Sequence, residues 1–202
     1  LGAHAWWLPD WLERRLPVMD VEGEALAHQL SLADWPHPGA TQSVYAEGLG
    51  APVDGTMLFS GVGVDLQPGD VLLVTGPAVA RSALLLALTG RLRLTAGELK
   101  ALGLVVPEEA GILRRRAVYL SGSSPDAERL LSRATRLVVV DDADRLSPAA
   151  GQRLRELADG VSGTPPTIIL GASLEAAVHE LIPNIGSVLE LDESELLVGG
   201  VR

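Results

Sequence analysis

The stretch Gly76-Pro77-Ala78-Val79-Ala80-Arg81-Ser82 follows the apolar run Val71–Thr75 and opens a leucine-rich segment. A glycine-started loop between a buried strand and a helix is the layout of a phosphate-binding P-loop, G-x-x-x-x-G-K-[ST]. In such a loop the glycines let backbone N–H groups converge on phosphate. The lysine reaches the terminal phosphates, and the hydroxyl holds Mg²⁺. Gly76 and Pro77 match the start, and Ser82 supplies the hydroxyl. Arg81 stands where the lysine belongs, Ala80 stands where the second glycine belongs, and the loop is one residue short. Val79 is β-branched and a poor occupant of positive φ. Arg81 can present a forked donor to phosphate, but arginine and lysine are not interchangeable at a packed site. Lys100, the chain's one lysine, lies beyond this loop. The second chemical stretch is Leu137-Val138-Val139-Val140-Asp141-Asp142, an apolar run of the kind found in buried parallel strands, ending in carboxylates.

These residues need a strand–loop–helix unit and a second buried strand to bring them together. The spacing predicts a strand over 71–75, a loop over 76–81 and a helix from Ser82. Further on, 167–170 (Thr-Ile-Ile-Leu) reads as another buried strand. A short helix is expected within 125–133, and a longer one over 149–159 begun by Pro148. The 202 residues, 47% hydrophobic, suffice for one substantial core plus an extension. With no cysteine there are no disulfides, thiolate metal sites or cysteine nucleophiles. A net charge of −10 argues against nucleic acid as a partner. No run of 18 apolar residues is present, so nothing in the sequence reads as a membrane span. His28 and His37 are isolated and read as surface residues. The start at Leu1 rather than Met reads as a piece of a longer protein.

From Val71 to Glu98 the text resembles the Walker A region of ABC-transporter ATPases, and the resemblance continues in order over residues 42–200. Residues 42–70 resemble the antiparallel β-subdomain that opens that family. Leu113–Leu120 (LRRRAVYL) resembles the strand leading to its Q-loop, and Asp144-Arg145-Leu146-Ser147-Pro148 its D-loop. Residues 187–191 and 195–198 resemble its closing hairpin. The resemblance implies an α/β, P-loop NTPase-like fold: a mostly parallel sheet, an N-terminal antiparallel β-subdomain, and no helical subdomain. It places Asp141 as the Walker B carboxylate that holds Mg²⁺ through water, with Ser82 as the other metal-binding position. Asp142 takes the place of the glutamate that polarises the attacking water, one methylene shorter.

The same resemblance exposes what is missing. The aromatic that stacks on adenine would fall at Val53, and Tyr45, the nearest upstream aromatic, is out of register. The Q-loop glutamine would fall at Gly122, and the γ-phosphate-sensing histidine at Ser173; His179 lies farther along the next helix. Only the residues between Ser121 and Arg136 occupy the interval where the family carries its helical subdomain and LSGGQ signature. The run Arg114-Arg115-Arg116 has the composition of an anion site, but such a run in this family is a helix end, and a solvated helix end is the favoured reading.

Residues 1–23 differ from the rest. Trp6, Trp7 and Trp11, followed by Arg14 and Arg15, form the pattern of a chain leaving a bilayer on its cytoplasmic side. The text WWLPDWLERRLP resembles the tail after the last transmembrane helix of MMPL-type (RND-like) transporters. A Trp-anchored helix packed on its own domain is the other reading of this stretch. Residues 24–41 read as a linker. The expected division is therefore 1–41, a Trp-rich membrane-proximal helix and linker, and 42–202, a degenerate ABC ATPase-like domain.

Together these readings lead to a non-catalytic cytosolic domain with a regulatory, scaffolding or assembly role. It would stand at the inner face of the plasma membrane, joined to a membrane transport protein or to its own upstream transmembrane region. No cofactor is expected unless Gly76, Pro77, Arg81, Ser82 and Asp141 retain Mg·ATP, in which case Asp142 is the catalytic candidate. The alternatives are a divergent ATPase and a nucleotide sensor that does not hydrolyse.

Overall fold

A computed structural model of the chain describes residues 42–53, 56–133, 136–161 and 163–192. The Trp-rich stretch 1–41 and the end segment 195–198 lie outside the described residues. Two sheets form the frame. Strands β1 (Val44–Val53), β2 (Thr56–Leu66), β4 (Ala96–Ala101) and β5 (Leu104–Val106) make an antiparallel sheet in the order β2-β1-β4-β5. Strands β3 (Val71–Thr75), β6 (Ala117–Ser121), β7 (Leu137–Asp141), β8 (Thr167–Gly171) and β9 (Ser187–Glu190) make the second sheet, in the order β6-β7-β8-β3-β9. All its pairings are parallel.

The helices are α1 (Ala78–Leu88), α2 (Ala110–Arg116), α3 (Ala127–Leu131), α4 (Pro148–Ala158) and α5 (Glu175–Leu181). The clearest start signal is at α4. Ser147 caps it by accepting from the Ala150 N–H at 3.3 Å, and Pro148 at the first position gives up no needed donor. Between β6 and β7 the described residues hold only α3, a single short helix.

Strand alternation divides the parallel sheet between two cores. Leu137, Val139, Ile169, Leu72 and Val74 pack toward α1 and the antiparallel sheet. Val138, Val140, Ile168, Leu170 and Leu73 pack toward the side that carries Leu131 of α3, Leu154 of α4 and Val178 of α5. Because β7 and β8 are covered on both faces, every one of their residues is buried. Helix α1 is apolar almost throughout because it lies between the two sheets, where Leu84, Leu85 and Leu88 have no exposure. Among the described residues no helix is long and apolar enough to cross a membrane.

One local expectation is overturned. The loop expected over 76–81 is not a loop beyond Pro77, because α1 begins at Ala78 rather than Ser82. The shortened segment and its Ala-Val-Ala filling remove the glycines that would hold an open nest, and alanine favours the helix. The Arg81 N–H accordingly donates to the Pro77 carbonyl at 2.9 Å, an ordinary first-turn helical bond. Arg81 and Ser82 therefore ride on a rigid helix.

Candidate functional site

The parallel order β7-β8-β3 sets the carboxyl end of β7 beside the start of α1, which follows β3. This carboxyl edge is where open α/β sheets place their ligands. At it, β7 delivers Asp141 and, one residue on, Asp142. Asp142 adopts a left-handed conformation (φ 51°, ψ 50°), which aspartate tolerates better than most side chains. From there its carboxylate meets the guanidinium of Arg81.

Arg81 is the centre of the arrangement, with only 1% of its surface exposed. Its Nη2 donates to Asp142 Oδ1 at 2.6 Å, and its Nε lies 3.5 Å from Asp141 Oδ1. Its Nη1 donates to Ser173 Oγ at 3.2 Å and to the Gly76 carbonyl at 3.4 Å. One side chain thus links the end of β3, the end of β7 and the turn after β8. Ser82 Oγ donates to Asp141 Oδ2 at 2.5 Å, and the Asp142 N–H donates to Asp141 Oδ1 at 3.0 Å. Gly76, Arg81, Ser82, Asp141 and Asp142 are therefore brought together, with Pro77 at the helix cap between Gly76 and α1. Trp6, Trp7 and Trp11 lie outside the described residues.

Tyr119 joins the group from β6. It pairs in register with Val139, so period-two alternation puts it on the same sheet face as Asp141. Burial first, then the Asp141 charge and a hydrogen bond to it, push the Tyr119 hydroxyl up to about 12. The motifs of the sequence give this tyrosine no role; the signal that could have found it is strand parity in the text AVYLS.

Two glycines fit the backbone to this arrangement. A Cβ on Gly171 would lie 2.6 Å from Leu85 Cδ1 and 3.1 Å from both Arg81 Cδ and Asp141 Oδ1. The bare end of β8 is thus what leaves room for the arginine stem. A Cβ on Gly122 would lie 2.0 Å from the Asp142 carbonyl oxygen. The Gly122 N–H also donates to the Asp141 carbonyl at 2.6 Å, so the end of β6 is drawn against the Asp142 turn. A glutamine cannot occupy this position without displacing that turn. Elsewhere, the Tyr45 hydroxyl donates to Glu47 Oε2 at 3.1 Å. A cleft of about 340 Å³, lined by Asp144, Ser147, Gln152 and Arg155 among others, opens between the D-loop-like turn, α4 and α5 and includes none of the five clustered residues.

No protein-family model matches the chain, and no curated protein matches it. Solved structures do. The chain is similar to cbiO1 from Clostridium perfringens, part of the ABC transporter complex cbiONQ. The TM-score is 0.58 at 12% identity, over 79% of this chain and 88% of that one. It is similar to a bacterial Atm1-family ABC exporter with ATP bound, with a TM-score of 0.57 at 13% identity, over 87% of this chain and 43% of that one. A nucleotide-free ATP-binding cassette from an ABC transporter gives 0.53 at 13% identity, over 74% and 89%. The fold is that of the ABC ATPases: a parallel sheet with an antiparallel β-subdomain.

That fold implies Mg·ATP, and the residues present do not fit it. The side chain in the lysine position is buried and engaged with two carboxylates, a hydroxyl and a carbonyl. Asp141 already accepts from Ser82 Oγ and the Asp142 N–H. The nest that would wrap phosphate has become the first turn of α1, with Val79 67% exposed at its tip.

Proposed function

We propose that the chain is a non-catalytic ABC ATPase-like domain in which Arg81 serves as a built-in counter-charge where the fold elsewhere receives nucleotide and metal. The observation that carries this reading is the burial of Arg81 between Asp141 and Asp142. Buried charges must be paired, and a guanidinium already held on both sides has no free fork for phosphate. Lacking the signature segment as well, the domain has no means of building an ATP site shared with a partner. Its role is regulatory, scaffolding or assembly. The solved relatives belong to ABC transporters, and the Trp-rich start carries Arg14 and Arg15. Both support a membrane transport partner, or an upstream transmembrane region of the same protein, and a position at the inner face of the plasma membrane.

The contact between Ser82 and Asp141 favours a second reading, a nucleotide sensor without hydrolysis, since these are the two metal-binding positions of the fold. Calorimetric titration with Mg·ATP, alongside Asp141→Asn and Arg81→Ala, separates the two. Under the first reading no heat is expected at millimolar nucleotide. Saturable micromolar binding that disappears in both variants would overturn it.

A further inference from the structure

A second set of arginines lies away from the carboxylate cluster. Arg91 follows the end of α1 and is fixed by three contacts. Its Nη1 donates to the Thr89 carbonyl and its Nη2 to the Arg114 carbonyl, each at 3.4 Å, and its Cζ lies 5.5 Å from the Tyr119 ring centroid. Arg114 and Arg115, in the last turn of α2, are exposed. A Cβ on Gly111 would lie 3.9 Å from Arg114 Nη2 and 3.9 Å from Arg115 Nη1. Both guanidinium groups therefore gather over the same bare glycine. Arg93 and Arg116, also exposed, flank the group in sequence. None of these five arginines forms an ion pair among the described residues. Glu109, at the cap of α2 and away from its last turn, accepts from the Val105 N–H at 2.9 Å. Burial, partly offset by Tyr119, and then the Arg114 charge lower the Arg91 pKa, so the two cations repel each other.

We infer that Arg91, Arg114 and Arg115, with the exposed Arg93 and Arg116 close to them in sequence, form a docking surface for an anionic phospholipid membrane. This group of arginines, without ion-pair partners among the described residues, complements an anionic surface although the whole chain carries a net charge of −10. Guanidinium matches phosphate with a two-pronged fork. A long nucleic acid would also run over the acidic remainder of the chain, whereas a membrane meets one face only. Anionic leaflets attract exposed basic side chains, each contributing about 1 kcal/mol near the surface. The inference rests on the membrane-associated part of the proposed function, not on the absence of nucleotide binding.

Co-sedimentation of the full chain tests it. The probes are vesicles of phosphatidylcholine alone and vesicles carrying phosphatidylglycerol. The variants are Arg114→Ala/Arg115→Ala and, separately, Trp6→Ala/Trp7→Ala/Trp11→Ala. The expected result is binding to the anionic vesicles only, weakened about 25-fold by the double arginine change, at roughly fivefold per arginine. It should also fade as salt shortens electrostatic range. The arginine dependence should persist in the tryptophan variant. Circular dichroism and the unfolding midpoint verify that the arginine variant is folded, with Arg115→Gln as a milder second probe. Equal binding to both vesicles, or binding lost only with the tryptophans, would overturn the proposal while leaving a membrane-proximal start intact. Capture on a polyglutamate peptide without vesicle binding would reassign the surface to an acidic protein.

Discussion

Arg81 lies near the start of α1 and Arg91 just beyond its end, and the two occupy opposite electrostatic settings. Arg81 is buried and held between two carboxylates, a hydroxyl and a carbonyl. Arg91 stands over an aromatic ring beside two exposed arginines, with no carboxylate paired to it among the described residues. The same side chain thus closes one end of the helix and leaves the other open. The difference is made by what the strands deliver. Strand β7 ends in acids, so Arg81 meets its counter-charges at the carboxyl edge. The last turn of α2 carries three consecutive arginines with no ion pair among the described residues, so its charge remains available to something outside the chain.

The contrast is most exposed to challenge at the closed end of the helix. Arg81→Ala leaves Asp141 and Asp142 facing a vacated, largely buried position, and should destabilise the fold by about 3–5 kcal/mol, measured by urea unfolding. A loss below about 1 kcal/mol would mean the ion pairs are not holding these elements together. Gly122→Ala comes next. Its methyl must displace the Asp142 turn, with an expected cost of about 3 kcal/mol, the upper end for overpacking. Gly171→Ala meets side-chain atoms that can partly yield, so about 1–2 kcal/mol is expected in the same assay.

Tyr119→Phe probes the same end through pH. The hydroxyl is raised from 10.0 to about 12 in the folded chain. Its stabilising contribution is therefore complete below pH 10 and is lost as pH climbs through about 12. Removing the hydroxyl should flatten the fall in unfolding midpoint over that window; an unchanged fall would separate Tyr119 from Asp141. The smallest effect is expected in the open cluster. Arg114→Ala should change stability by no more than about 0.5 kcal/mol, because an exposed cation without a partner contributes little to the fold.

Much of this arrangement is legible in the amino-acid sequence. The apolar runs that form β3, β7 and β8 need only their composition, and Ser147-Pro148 announces the start of α4. The approach of Ser82 and Asp141 follows from the order of a P-loop-like unit and an acid-ended strand. The helix beginning at Ala78 is less accessible, because a nest and a first helical turn differ by a single residue and a few glycines. The pairing of Arg81 with Asp142 depends on the left-handed turn at Asp142, and no local pattern specifies that rotation. Arg114-Arg115-Arg116 does form a helix end. That Arg91 lies against it is not written in the text, since the contact is made only when β4, β5 and α2 fold back over the end of α1.

In the proposed function, Arg81 and Asp142 together take over the electrostatic work that nucleotide and metal do elsewhere in this fold. A double-mutant cycle of Arg81→Ala and Asp142→Asn, read by urea unfolding, measures their interaction directly. A coupling of about 1.5–3 kcal/mol is expected, as for side chains in one ion-pair network. Two changes that simply add, to within about 0.5 kcal/mol, would contradict it and return the buried arginine to service as a ligand for phosphate.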